Sequence, residues 1–203
     1  MPRRGTFFIV RAQDQATRSS AGPSDAALVV AARAGEAWAQ EALFRRHAPM
    51  VNGLAFRLMG RDSDVDDLVQ DAFVTAFAGL HGLDDPQAFA AWLGSIVVRT
   101  AGKVIRRRVL LERLGLRRRR EPVDIDTVAA RLAGPDVAAE LRHIYERLER
   151  LPAEQRIAFL LRRVEGLELE EVAQKMGISL ATAKRRIAAA QQTVERWADR
   201  DRQ

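Results

Sequence analysis

Apolar residues recur along this chain at threes and fours, and no stretch alternates strictly, so helices are expected and strands are not. Ser24-Asp25 opens a short helix with Leu28, Val29 and Ala32 inward and Gly35 as its stop. Leu43, Phe44, Ala48, Val51, Leu54, Ala55 and Leu58 predict a longer helix from about Glu36 to Met59, with Pro49 as a kink point. A third begins at Ser63-x-x-Asp66 and carries Leu68, Ala72, Phe73, Ala76 and Leu80. A fourth runs from Pro86 to about Arg108, with Phe89, Trp92, Leu93, Ile96 and Val97 as its stripe. The period then fails until Val137, Leu141, Ile144, Tyr145, Leu148 and Leu151 resume it. Pro152 opens a further helix with Ile157, Leu160, Leu161 and Val164 inward, closed by Gly166.

The fold class is therefore all-α: two small helical domains joined by a flexible linker. Residues 1–23 are polar and small, and read as an unstructured tail that a protease would remove first. The first domain spans 24–108. A basic linker, 109–135, holds the run Arg117–Arg120, and the second domain spans 136–199.

The second domain ends in two helices set about a glycine. Leu169, Val172, Ala173 and Met176 lie on one face, Gly177 breaks the helix, and Ser179 is a good N-cap for the next. That last helix places Leu180, Ala183, Ile187, Ala190 and Val194 inward, with Thr182, Lys184 and Arg185 pointing elsewhere and Arg186 near the boundary. This is a helix-turn-helix whose second helix carries an exposed cationic face, as a major-groove reader needs.

Charge supports the same partner. The net charge of +6 and pI near 10.8 favour a polyanion, and Arg99, Lys103, Arg106, Arg107 and Arg108 at the end of the fourth helix fit either a solvated face that suits the helix dipole or a phosphate-facing surface. The chain has no cysteine, which excludes disulfides and thiolate chemistry and fits a reducing cytoplasm. Apolar runs such as Ala26–Ala32 are too short to span a bilayer, so no membrane insertion is expected. Asp62, Asp64, Asp66 and Asp67 crowd a helix start, where the macrodipole explains them, and their spacing is not that of a calcium loop. His47, His81 and His143 are scattered and no phosphate-binding glycine loop appears. No metal, cofactor or catalytic residue is expected, and an enzyme is the remote reading.

The motif Asp64–Phe73, DVDDLVQDAF, followed by Phe89-x-x-Trp92-Leu93 and a basic helix end, resembles region two of bacterial sigma factors. Leu151–Ala190 resembles region four of the same family. Both motif sets in this order, with no third domain between them, are similar to the extracytoplasmic-function (ECF) group. The resemblance implies a non-enzymatic initiation factor that binds core RNA polymerase and directs it to promoter DNA. It places Asp67, Leu68, Val69, Gln70 and Asp71 against the clamp of the largest polymerase subunit. It assigns minus-ten element contacts to Arg99, Lys103, Arg106 and Arg107, and minus-thirty-five contacts to Thr182, Lys184, Arg185 and Arg186. The helix-turn-helix domain would also dock on the flap of the second large subunit, and an anti-sigma factor on a separate chain is the expected regulator. A stand-alone helix-turn-helix regulator without polymerase binding is the alternative. Where the family commonly has basic residues late in the recognition helix, this chain has Ala188, Ala189 and Gln191.

Overall fold

The computed structural model describes residues 22–59, 65–115 and 144–200. Every regular element among them is helical: α1 (Asp25–Arg33), α2 (Ala37–Met59), α3 (Val65–Ala78), α4 (Phe89–Arg113), α5 (Ala153–Arg163), α6 (Leu169–Met176) and α7 (Leu180–Arg200). A further helical segment covers 144–148. The tail to residue 21, the acidic entry at Asp62–Asp64, most of the expected linker and the start of the second domain, including His143, lie outside the described residues.

The local signals act as their chemistry requires. Ser24 caps α1 by accepting from the Ala27 amide (3.3 Å). Gly35 turns the chain into α2 at φ +89°, a conformation a Cβ would disfavour. Asp85 accepts from the Gln87 amide (2.9 Å), with Pro86 in the following turn. α4 outruns its expected end at Arg108 by more than a turn, reaching Arg113, where Gly115 at φ +66° marks the stop. Within the added turn Arg108 bonds Glu112 four residues on (3.1 Å).

α1 to α4 wrap a core of Leu28, Leu43, Leu58, Leu68, Phe89 and Leu93, all fully buried. Arg33, in the last turn of α1, donates to the carbonyls of Leu80 (3.1 Å) and Leu83, pinning the two 3₁₀ turns Leu80–Gly82 and Pro86–Ala88 that lead into α4. α5 to α7 enclose Ile157, Leu160, Leu161, Val172, Ala183 and Ala190. Three expected core residues do not hold: Val164 falls at the C-cap of α5 and is 43% exposed, Phe44 is 44% exposed, and Leu180 opens α7 at 45% exposed. Pro86–Arg113 is the one helical stretch among the described residues long and apolar enough to cross a membrane, at mean hydropathy 1.3. Half of that apolar window is buried, and it supplies the core.

The two helical groups pack on one another through α4. Ala101, Gly102 and Ile105 are buried on the same face as Ile157 of α5, so the cores are continuous. The last turn of α2 is finished by the second group. Buried Arg156 donates to the Leu58 carbonyl (2.7 Å), and the Tyr145 hydroxyl donates to that of Arg57 (3.4 Å). These carbonyls are the ones a helix end leaves without intrahelical partners.

Candidate polymerase and nucleic-acid interfaces

Three outward surfaces carry the candidate residues. The first is the solvent face of α3. Its inward face is Leu68, Val69, Ala72, Phe73 and Ala76, which leaves Asp66, Asp67, Gln70, Asp71, Val74 and Thr75 outside. Of the five residues expected at the clamp, Asp67, Gln70 and Asp71 are exposed, whereas Leu68 (0%) and Val69 (7%) are core side chains and offer a partner nothing. The 3.6-residue period forces that division, because five consecutive residues cannot share one face. Sequence reading missed Val74, 61% exposed, which follows Gln70 and Asp71 at helical spacing and is the apolar element of this ridge. On α2, the Phe44 ring packs against Phe73 at 4.7 Å between centroids, the two rings tilted by 57°.

The second surface is the latter half of α4. Arg99, Lys103 and Arg107 are exposed and recur every four residues, a cationic stripe about 12 Å long at 1.5 Å per residue. Arg106 is tied to Glu154 of α5 in an ion pair, and Arg108 to Glu112 and Glu149. Trp92 is half-buried against Phe89 (6.1 Å) and packs under Gly79, so it belongs to the core edge.

The third surface is the recognition helix of the helix-turn-helix. Its supporting helix α6 opens with a box in which the Glu171 carboxylate accepts from the Glu168 amide (2.7 Å). It closes with the pair Gly177 N–H to Gln174 O (3.1 Å) and Ile178 N–H to Ala173 O (3.0 Å), with Gly177 at φ +65°. Ser179 then caps α7 by accepting from the Thr182 amide (3.3 Å), and the two hydroxyls lie 2.9 Å apart. Thr182 is thereby engaged in the helix entry. Lys184 and Arg185 point to solvent. Arg186 does not: its Nη1 is buried 2.6 Å from Glu154 Oε2, an ion pair with the N–H off the line of a hydrogen bond. Leu180, expected inward, is 45% exposed at the first position of the helix, beside exposed Ala181.

Lys175, in the last turn of α6, lies half-buried over α4 with its ammonium 3.5 Å from the Ala91 carbonyl. Burial lowers its pKa, and the Glu171 and Glu165 charges only partly offset that. Among the described residues no group of three acidic or histidine side chains converges as a metal site.

Sigma-70 region 2 matches residues 43–109 and Sigma-70 region 4 matches residues 141–193, so each family region falls on one of the helical groups. The ECF RNA polymerase sigma factor SigM of Mycobacterium tuberculosis H37Rv is 34% identical over 174 residues, which is 85% of this chain and 84% of that one. The chain belongs to the ECF sigma factors. The ECF RNA polymerase sigma-E factor of Escherichia coli K12 is 29% identical, covering 85% of this chain and 93% of its own. A solved complex of CnrH with the cytosolic domain of CnrY matches with a TM-score of 0.57 and 28% identity over 88% of this chain and 99% of that one. The sigma factor RpoE of Bartonella quintana, solved with the anti-sigma factor NepR, shares the fold at a TM-score of 0.55 and 21% identity. This ECF sigma factor is a promoter-specific initiation factor that works with core RNA polymerase, and it is not an enzyme. Members of the family act on polymerase in the bacterial cytoplasm.

Proposed function

We propose that the three surfaces divide the work of initiation. The α3 ridge of Asp67, Gln70, Asp71 and Val74 docks on the polymerase clamp. Carboxylates and an amide flanking an apolar side chain suit a basic amphipathic partner helix. Arg99, Lys103 and Arg107 follow the backbone of the displaced strand at the minus-ten element, where cations spaced along a helix neutralise successive phosphates. Lys184 and Arg185 enter the major groove at the minus-thirty-five element. Arginine pairs bidentately with guanine and lysine supports phosphate, while Leu180 and Ala181 meet thymine methyl groups. The helix-turn-helix unit also docks on the flap of the second large polymerase subunit. The factor works in the cytoplasm and is held in check by an anti-sigma factor on a separate chain. The solved complexes of CnrH with CnrY and of RpoE with NepR support that partner.

The observation that carries this reading is the outward carboxylate and amide set on α3, which the core and the helix dipole leave unexplained at Gln70 and Asp71. The test is transcription from a promoter-fragment library with core polymerase and either the natural chain or Asp67→Lys/Asp71→Lys. Transcripts that need the protein and vanish with the variant are expected. Retained DNA binding without polymerase association would move the function to a stand-alone regulator.

A further inference from the structure

The recognition helix runs short of charge where it would leave the groove. Lys184 and Arg185 lie in the first two turns of α7, Arg186 is paired with Glu154, and no further cation follows on this helix until Arg196. Seven residues past Lys184 the helix has risen about 10 Å, close to the roughly 12 Å width of a major groove. A helix that reads base edges with its first turns meets the phosphate wall at that height. The side chain there is Gln191. It stands on the stripe Lys184, Ala188, Gln191 and Glu195, which repeats at fours and threes and faces away from buried Ala183, Ile187 and Ala190.

A cation reaches this height from another helix. Arg163, the last residue of α5, is exposed, and its Nη2 donates to Gln191 Oε1 at 2.8 Å. Gln191 Nε2 donates in turn to Glu195 (3.1 Å), which fixes the amide with its oxygen toward the arginine. The acceptor is neutral, so it aims the guanidinium and leaves the charge in place. The neighbouring arginines are engaged differently. Arg162 donates to the Leu167 carbonyl (2.7 Å) and pairs with Glu168 (3.1 Å), and Arg186 faces Glu154. Arg163 makes no ion pair among the described residues. A planar guanidinium held by one arm keeps its remaining N–H groups for a phosphate oxygen.

We propose that Arg163 is a further DNA contact of this domain, a phosphate clamp that Gln191 aims at the strand bordering the minus-thirty-five groove. The proposal rests on the function assigned above. Lys184 and Arg163 grip the backbone at two heights about 10 Å apart along α7. The Ala188 methyl between them leaves the strand room to lie close. This contact carries no base information. It sets affinity and register, while Lys184 and Arg185 set the sequence. Gln191 is a positioning residue, acting through the arginine it holds.

The test compares salt slopes. The natural chain, Arg163→Gln, Gln191→Glu and Gln191→Ala are titrated with core polymerase onto a promoter fragment recovered from the library. Each full chain is also titrated alone onto a random-sequence duplex, and both titrations are repeated across a salt series. Arg163→Gln should weaken binding about fivefold and lower the salt slope by about one on both DNAs. Its loss should be the same on base-substituted minus-thirty-five elements as on the natural one. Gln191→Glu gives the guanidinium an ion-pair partner and should match that loss. Gln191→Ala leaves the charge present but unheld, and should keep the slope while giving up part of the affinity. An Arg163→Gln chain with an unaltered slope would overturn the proposal, whether or not its Tm falls. So would a loss that varies with the bases of the element, since that marks a base reader. If the natural chain yields no transcripts with polymerase, the assigned function falls instead, and the slopes on the random-sequence duplex still decide whether Arg163 meets phosphate.

Discussion

Val74→Ala isolates the polymerase contact from folding. Val74 is 61% exposed on α3, one turn beyond Gln70 and Asp71. Burying a whole valine stabilises by about 1.5–3 kcal/mol, so covering the exposed three-fifths of this one contributes about 1–2 kcal/mol. Alanine retains part of that surface, leaving a loss of about 1 kcal/mol, or about fivefold in affinity. The folded chain alone should scarcely notice, since an exposed side chain on a helix carries little stability and alanine is the better helix former. The assay is titration of labelled protein with core polymerase, beside thermal unfolding of the protein alone. Weakening of about fivefold with an unchanged or slightly raised Tm is expected. Affinity within twofold of the natural chain, under conditions where Asp67→Lys/Asp71→Lys abolishes binding, would refute the claim that the ridge has an apolar centre.

Arg156→Met should lower Tm by several degrees in a melting experiment, because it leaves the buried Leu58 carbonyl without its donor, a loss of about 1–3 kcal/mol. Burial holds the His47 pKa below its ordinary 6.5 despite the Asp25 carboxylate 2.9 Å away. The unfolded chain therefore binds the proton more readily, stability is lost as pH falls through the window just below 6.5, and denaturant midpoints of His47→Gln should flatten there. Gly177→Ala should cost about 1 kcal/mol in denaturant titration, since alanine must adopt φ +65° to close α6. Replacing thymine by deoxyuridine within the minus-thirty-five element should weaken binding of the natural chain and leave Leu180→Ser unaffected, as read by gel shift against a fixed guanine-contact control.

The helices were legible because burial and period coincide. Leu28, Leu43, Leu58, Phe89, Leu93 and Ile157 are core residues in both sequence and structure, and the caps at Ser24, Gly35, Gly177 and Ser179 follow from local chemistry alone. What period could not give is which apolar residue at a helix end is left uncovered. Leu180 and Val164 sit at helix boundaries, where the neighbouring packing ends and exposure depends on the turn. Leu68 and Val69 were grouped with the carboxylates because the resemblance concerned a contiguous motif, whereas a helix divides a motif between two faces. The cations show the other limit. Arg106 and Arg186 differ from Arg107 and Arg185 only in facing Glu154, a residue 48 positions from the first, and no local pattern encodes that meeting.

The finish of α2 has a consequence for how the protein is made. Leu58 leaves the ribosome 98 residues before Arg156, the side chain that completes its helix end. At about 5–20 residues per second the amino-terminal group waits roughly 5–20 seconds with that last turn hydrated and the adjoining face of α4 bare. Closing so long a loop is also the slow kind of step, in which chain entropy is spent before the contact compensates. The nascent chain thus passes through an interval in which its first half is folded but still adhesive, and a synonymous change that slows translation between α4 and α5 would lengthen that interval.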